Sequence, residues 1–376
     1  MELAMRNPFT IKVISDKAHF CNRTDEIKQL IRYAENDANI VLYSPRRYGK
    51  TSLMYRVQQQ LLETDFITVF VDLFGLSSVD NIADRLSRGV YKSLQPHKPL
   101  LDKAVDLIRT HKPVLSLTES SFGNLSVEKT SQKLFGEDLL NATLEGIGKF
   151  LNHTRKQINI VFDEFQEIVE LKNKNIEGIL RTHIQVHKAS YFFVGSRRRV
   201  LYEIFKTKNR AFFNSTFDFK LAKLPHDELT AFVSERFAAG EKNCPVELAD
   251  QLAKVAEDHP YYTQKLCYKV FEETDSHVTK ETIKKGFTSL LEDEASYFEQ
   301  YLRALAPQQI ALLKAIAREP TASLLSSNYA QRHNLKSVGG IQGARDKLIS
   351  LDFIHHDKNN VFSIVDPIFN IWLNHR

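Results

Sequence analysis

Cysteine is scarce: Cys21, Cys244 and Cys267 are the only three in 376 residues, with no C-x-x-C and no histidine spaced to join them. That argues against a disulfide framework or a zinc site and fits a reducing compartment. Long apolar runs are missing too. None approaches the length needed to span a bilayer, and the opening Met1-Glu2-Leu3-Ala4-Met5-Arg6-Asn7-Pro8-Phe9 lacks the apolar stretch of a signal peptide. The expectation is a cytoplasmic protein with no membrane contact. Low-complexity tracts and internal repeats are absent. Excess charge of one sign is small, 51 Lys+Arg against 46 Asp+Glu, for a net charge of +5 and a pI near 8.8. Such a balance permits nucleic-acid contact without requiring it. What remains is 43% hydrophobic and 26% charged residues over 43.3 kDa, a globular chain of two or three domains.

One stretch stands out, Ser44-Pro45-Arg46-Arg47-Tyr48-Gly49-Lys50-Thr51-Ser52. It follows the apolar run Ile40-Val41-Leu42-Tyr43, which reads as a buried strand, and opens Ser52-Leu53-Met54-Tyr55-Arg56-Val57, which reads as a helix. Strand, loop and helix in that order are the context of a P-loop. Backbone N–H groups at the helix start face a β-phosphate, helped by about half a positive charge from the helix dipole. Gly49 lets the chain approach without a Cβ, Lys50 can reach between β- and γ-phosphates, and Thr51 can place its hydroxyl on Mg²⁺. Ser44 departs from the G-x-x-x-x-G-K-[ST] pattern by replacing its first glycine.

Upstream, residues 1 to 21 read as a lead-in with an extended piece at Ile11–Ile14, and Asn22 or Thr24 can cap a helix with Ile27, Leu30, Ile31 and Ala34 on one face. Downstream, Phe66–Leu73 reads as a second strand and Ser78 to Leu94 as a helix. Residues 95–136 include Pro96, Pro99, Pro113 and a Ser/Thr-rich stretch that can form a hairpin around Gly123-Asn124; no site is assigned there. A helix through Leu139, Leu140, Leu144, Ile147 and Phe150 leads to the strand Ile158-Asn159-Ile160-Val161-Phe162, which ends in Asp163-Glu164. Behind a P-loop, Asp163 can order the Mg²⁺ shell and Glu164 can deprotonate the attacking water. A further strand, Tyr191–Gly195, ends in Ser196, whose hydroxyl can sense a γ-phosphate, and in Arg197-Arg198-Arg199. These arginines read either as a solvated helix face or as a source of charge for the phosphoryl group or a partner. Phe217–Leu221 reads as a fifth strand.

From Pro225 the pattern turns helical: Leu229, Phe232, Val233 and Phe237 share a face, Val246 to Glu257 follows, Pro260 opens another helix, and Thr279 can cap one more. This reads as a helical lid, left by a long helix around Ser289 to Leu305. Three helices come next, Pro307 to Ala317, Ser323 to His333, and one capped by Ser337 running to Leu351. Then Phe353–His356 and Val361–Ile364 flank the turn Asp357-Lys358-Asn359-Asn360. Three helices and a hairpin make a winged helix-turn-helix. Its third helix carries Gln342, Arg345 and Lys347, suited to a major groove or phosphates, with Asp346 and Asp352 among them; protein docking is the other use of such a module.

With these parts in order, the chain resembles the archaeal-type P-loop ATPases, a branch of the STAND class of the AAA+ superfamily, over nearly its whole length. The carriers are Phe20-Cys21-Asn22-Arg23-Thr24-Asp25-Glu26, similar to an F-x-x-R-x-x-E opening; Pro45 to Ser52; Val161-Phe162-Asp163-Glu164-Phe165-Gln166-Glu167; His259-Pro260-Tyr261-Tyr262; and Asp366-Pro367-Ile368-Phe369-Asn370-Ile371-Trp372-Leu373. The resemblance implies an α/β sheet of order 5-1-4-3-2, a helical lid and a winged helix. It divides the chain into an ATPase domain at 1–224, the lid at 225–290 and the winged helix at 291–376. It also implies Arg23 near the nucleotide, Pro260 against the adenine, and Ser196 as first sensor.

The expected function is an ATP-binding and ATP-hydrolysing switch that uses ATP and Mg²⁺, turns over slowly by family analogy, and reports through the winged helix to a partner. Two alternatives stay open, a DNA-binding regulator or DNA-loading or transposition-type ATPase, and the ATPase component of a defence or toxin system with a separately encoded effector. Homo-oligomers are open as well. Kinase and GTPase readings find no acceptor site and no N-K-x-D motif.

Overall fold

The computed structural model describes residues 7–14, 16, 18–94, 116–118, 126–128, 136–171 and 175–376. They fall into two compact units, one of Arg23–Arg46 and Lys50–Leu221, the other of Met1–Asn22, Arg47–Gly49 and Ala222–Arg376.

The first unit runs α1 (Thr24–Glu35), β1 (Ile40–Tyr43), α2 (Lys50–Leu62), β2 (Phe66–Asp72), α3 (Val79–Leu94), β3 (Ser116–Thr118), β4 (Ser126–Glu128), α4 (Gly136–His153), β5 (Gln157–Asp163), a 3₁₀ helix (Phe165–Leu171), α5 (Asn175–Ile184), β6 (Ser190–Gly195), α6 (Arg198–Lys206) and β7 (Phe217–Lys220). Its main sheet has the order β2-β5-β6-β1-β7 with every pair parallel, which is the expected 5-1-4-3-2 order. Parallel strands covered on both faces need unbroken apolar runs. β6 is buried throughout and β5 in all but its first residue. Edge strand β7 buries only Phe219. Phe162, Phe165, Phe193, Phe205 and Phe212 form the aromatic centre of the core. Beneath them, Gln58 donates to Val69 O at 3.0 Å and Asn159 Oδ1 at 3.1 Å, while Asn159 donates to Ser190 Oγ at 2.9 Å. β3 and β4 pair antiparallel, as the hairpin reading expects; its Gly123-Asn124 turn lies outside the described residues.

One expectation is corrected here. The N-cap position of α1 is Arg23 rather than Asn22 or Thr24, and the Arg23 side chain makes no cap bond. The chain enters through left-handed φ angles of +35° at Asn22 and +70° at Arg23. A side-chain cap needs extended backbone at that point.

The second unit runs α7 (His226–Ala239), α8 (Val246–Val255), α9 (Pro260–Glu272), α10 (Lys280–Arg303), α11 (Pro307–Arg318), α12 (Ser327–Arg332), α13 (Val338–Ser350), β8 (Ile354–His356), β9 (Phe362–Ile364) and α14 (Pro367–Asn374). One core runs through it, from Phe237, Tyr262 and Phe271 by way of Leu290 and Phe298 to Ile316, Leu348, Phe369 and Trp372. Cys244 and Cys267 are buried in that core, and burial pushes both thiols up in pKa, Cys244 to about 12. The expected Thr279 cap is present, its hydroxyl accepting from Thr282 N. The helix it starts continues without interruption, so the one expected at Ser289 to Leu305 is the second half of α10. α12 is shorter than expected, because Ser326 rather than an earlier residue caps it. β8 and β9 form the wing, joined by a bridge from Thr321 to Phe362. Asp366 and Pro367 then start α14, a helix that the sequence analysis does not predict. Among the described residues no helix is long and apolar enough to cross a membrane.

Candidate nucleotide-binding site

Register brings the site together. Tyr43 lies opposite Gly195, and Asp72 opposite Asp163, so Ser44, Asp163, Glu164 and Ser196 all leave the sheet at its carboxyl edge. Lys50 opens α2 at that edge. The loop between owes its path to two left-handed residues, Arg47 at φ +64° and Gly49 at φ +82°. A Cβ on Gly49 would meet no protein atom within 4 Å, so within the chain itself it is the backbone angle that calls for glycine. Ser44 has no positive φ, which explains why serine serves where the pattern has glycine. Its hydroxyl donates to Pro45 O at 3.2 Å.

Lys50 is buried, and its Nζ donates to Ser44 O at 3.2 Å and Pro45 O at 3.0 Å. Thr51 Oγ1 donates to Asp163 Oδ2 at 2.6 Å, and Asp163 Oδ1 accepts from Glu164 N at 3.0 Å. Burial raises the Asp163 pKa to about 6, with the neighbouring Glu164 charge adding to it and the Thr51 hydroxyl opposing. Glu164 adopts φ +53°, rare for a residue with a side chain. Its Oε2 accepts from Ser196 Oγ at 3.3 Å and from Gln166 Nε2. The expected base and the expected sensor are thus hydrogen-bonded to each other.

The donor set fits Mg²⁺ and a nucleotide. A hydroxyl and a carboxylate 2.6 Å apart are hard oxygen ligands. Among the described residues no group of three or more His, Cys, Asp or Glu could hold a metal. A cation here would therefore take its other ligands from phosphate and water, which is how Mg²⁺ usually sits. Thr51 and Asp163 would hold it, and Lys50 the phosphates.

Other expected residues are placed elsewhere. Ser52 is buried in α2, and Arg46 is exposed. Arg47 and Tyr48 cluster with the second unit, where Arg47 lies over the Tyr261 ring at 4.3 Å and Tyr48 stands edge-on to His259 at 4.8 Å. Pro260 is the first residue of α9; His259, its cap, is buried, which lowers its pKa to about 3. Arg23 is buried and pairs with Glu26 at 2.8 Å on its own helix. Of the three arginines, Arg197 pairs with Glu170 at 2.6 Å and Arg199 with Glu203 at 3.2 Å. Arg198 lies 5.4 Å from the Tyr43 ring, next to Ser44.

Gln166 is the residue that sequence reasoning passed over. It is 1% exposed, donates to Glu164, and keeps its buried Oε1 without a hydrogen-bond partner. A Cβ on Gly195 would collide with that oxygen, so the glycine makes room for Gln166. Its place two residues after Glu164 was the available signal.

The P-loop and the acidic strand end thus lie at one edge of a parallel sheet of order 5-1-4-3-2, the fold of a P-loop nucleotide-binding domain. Residues 20–185 match the family described as an ATPase domain predominantly from Archaea, and residues 296–375 match a probable winged helix domain. The solved structure of the Walker-type ATPase PABY2304 of Pyrococcus abyssi is similar over 97% of this chain and 99% of that one, at 14% identity and a TM-score of 0.71. The ORC2 protein of Aeropyrum pernix in its ADPNP–ADP complexes is similar over 98% of both chains, at 15% identity and a TM-score of 0.57. Its ADP form covers 96% of this chain and 98% of its own, at 14% identity and a TM-score of 0.55. Among curated proteins none matches the sequence.

Proposed function

We propose that the protein is an ATP-driven switch of the STAND type, which binds and slowly hydrolyses ATP with Mg²⁺ and passes its nucleotide state through the winged helix to a partner. The observation that carries this reading is the unbroken line Thr51–Asp163–Glu164–Ser196, which joins the metal-ligating groups to base and sensor. Bound Mg²⁺ would neutralise phosphate charge as the terminal phosphate leaves. Lys50 holds phosphate oxygens, Asp163 orients Thr51, and Glu164 takes a proton from water while Ser196 and Gln166 fix its carboxylate. Arg23 and Pro260 are assigned to the nucleotide's remaining contacts. The lid at 225–290 and the winged helix at 291–376 carry the signal from the ATPase domain at 1–224. An effector on a separate chain, or a second copy, receives it in a cytoplasmic setting.

DNA is the second reading, favoured by one observation: Gln342 and Lys347 are exposed on α13. Arg345 counts against it, being held by Asp346 at 2.8 Å. The deciding experiment is ATP turnover by the purified protein with and without double-stranded DNA, with Glu164→Gln as control. The variant is expected to keep ATP binding and lose turnover by about 10²- to 10⁴-fold. Wild-type turnover in the variant would place the base elsewhere. Turnover indifferent to DNA supports the protein-coupled switch, and stimulation by DNA supports the loader or regulator.

A further inference from the structure

Two cations meet one buried carboxylate in the second unit. Glu294 lies on α10 with its side chain 3% exposed, and Lys265 of α9 donates to its Oε1 at 2.6 Å. Arg47 is the other cation, 3.8 Å from Glu294 Oε2 and 4.3 Å from the centre of the Tyr261 ring. A carboxylate so deep is costly unless its charge is met. Lys265 meets it at hydrogen-bond distance. Arg47, at longer range and 44% exposed, is the partner free to exchange. It is also the residue whose φ of +64° turns the loop just before Gly49 and Lys50.

We propose that Arg47 is a positioning residue that couples the phosphate-binding loop to Glu294 and, through α10, to the winged helix; this rests on the nucleotide-binding reading above. The ion pair and the ring contact anchor the side chain of a residue in a strained backbone conformation. That anchor fixes where the next residues present their N–H groups, so less ordering is left for the phosphate to impose. Coupling is reciprocal, so phosphate that moves the loop tip also acts on Glu294. α10 extends to Arg303 and enters the winged-helix match at residue 296. A second link runs beside it. Tyr262, the neighbour of Tyr261, donates to Asp366 Oδ2 at 2.5 Å, and Asp366 Oδ1 caps α14 through Ile368 N and Phe369 N.

The test is a double-mutant cycle on the full chain, reading the affinity for a fluorescent ADP analogue and the melting temperature of each sample. Arg47→Ala and Glu294→Gln should each raise Kd about threefold to thirtyfold, and the double variant should bind no worse than the weaker single one. Arg47→Lys keeps the charge but loses the planar stack on Tyr261, so its Kd should fall between wild type and Arg47→Ala. That variant and Arg47→Ala change a half-exposed side chain, and they carry the test should Glu294→Gln fail to fold. Additive losses in the double variant, a lowered melting temperature with unchanged Kd in Glu294→Gln, or equal Kd for wild type and both Arg47 variants would overturn the coupling. A wild-type chain that binds no nucleotide would overturn the ATPase reading as well.

Discussion

Asp163 is held at an energetic disadvantage by the site it serves. Its folded pKa of about 6 lies above the unfolded value near 3.9, so the folded state binds the extra proton between those values. Stability should therefore fall as pH rises through that window, by a few kcal/mol at most once the carboxylate is ionised. Asp163→Asn removes this cost. The melting-temperature gain of the variant over wild type, without Mg²⁺, should be near zero at pH 4 and grow toward pH 8. A gap that stays constant with pH would mean the carboxylate ionises freely. Lys50→Ala should remove nucleotide binding nearly completely in a direct titration, since no other buried cation donates to the Ser44 and Pro45 carbonyls among the described residues. Both positions were legible in the sequence, because strand, loop and acidic pair are local patterns. Arg47's partner was not, since Glu294 lies far along the chain in an ordinary amphipathic helix.

At the scale of elements, α9 and α10 approach closely where Gly286 faces Val270. A Cβ there would stand 2.6 Å from Val270 Cγ2 and 2.9 Å from Val270 N. Helix propensity favours alanine over glycine by roughly 1 kcal/mol, whereas overpacking against a fixed backbone costs about 1 to 3 kcal/mol. The clash wins, so Gly286→Ala should lower stability in urea unfolding; a more stable variant would show that the helices can part without loss. Periodicity reveals both helices but not this contact, and it does not by itself join the two halves of α10, which run on without a break over Lys280–Arg303. The strands were clear as apolar runs, whereas their order came from family resemblance, since period-2 patterns do not encode neighbours. α14 carried a plain signal in Asp366-Pro367, a cap followed by proline at the first helical position.

For the whole molecule, binding to the folded chain alone must raise its stability. At a hundredfold excess over Kd, ADP should add about 2.7 kcal/mol, several degrees of melting temperature, and Lys50→Ala should show no such gain. A gain kept in the variant would point to a second nucleotide site. The two buried cysteines give the same molecule an internal clock. A thiol pushed up toward pH 12 inside a closed core is almost never the thiolate that alkylating reagents attack. Cys244 and Cys267 will be labelled only when the core around them opens. Iodoacetamide labelling followed by mass spectrometry, with half-buried Cys21 as the fast reference, would time that opening residue by residue and without an added probe.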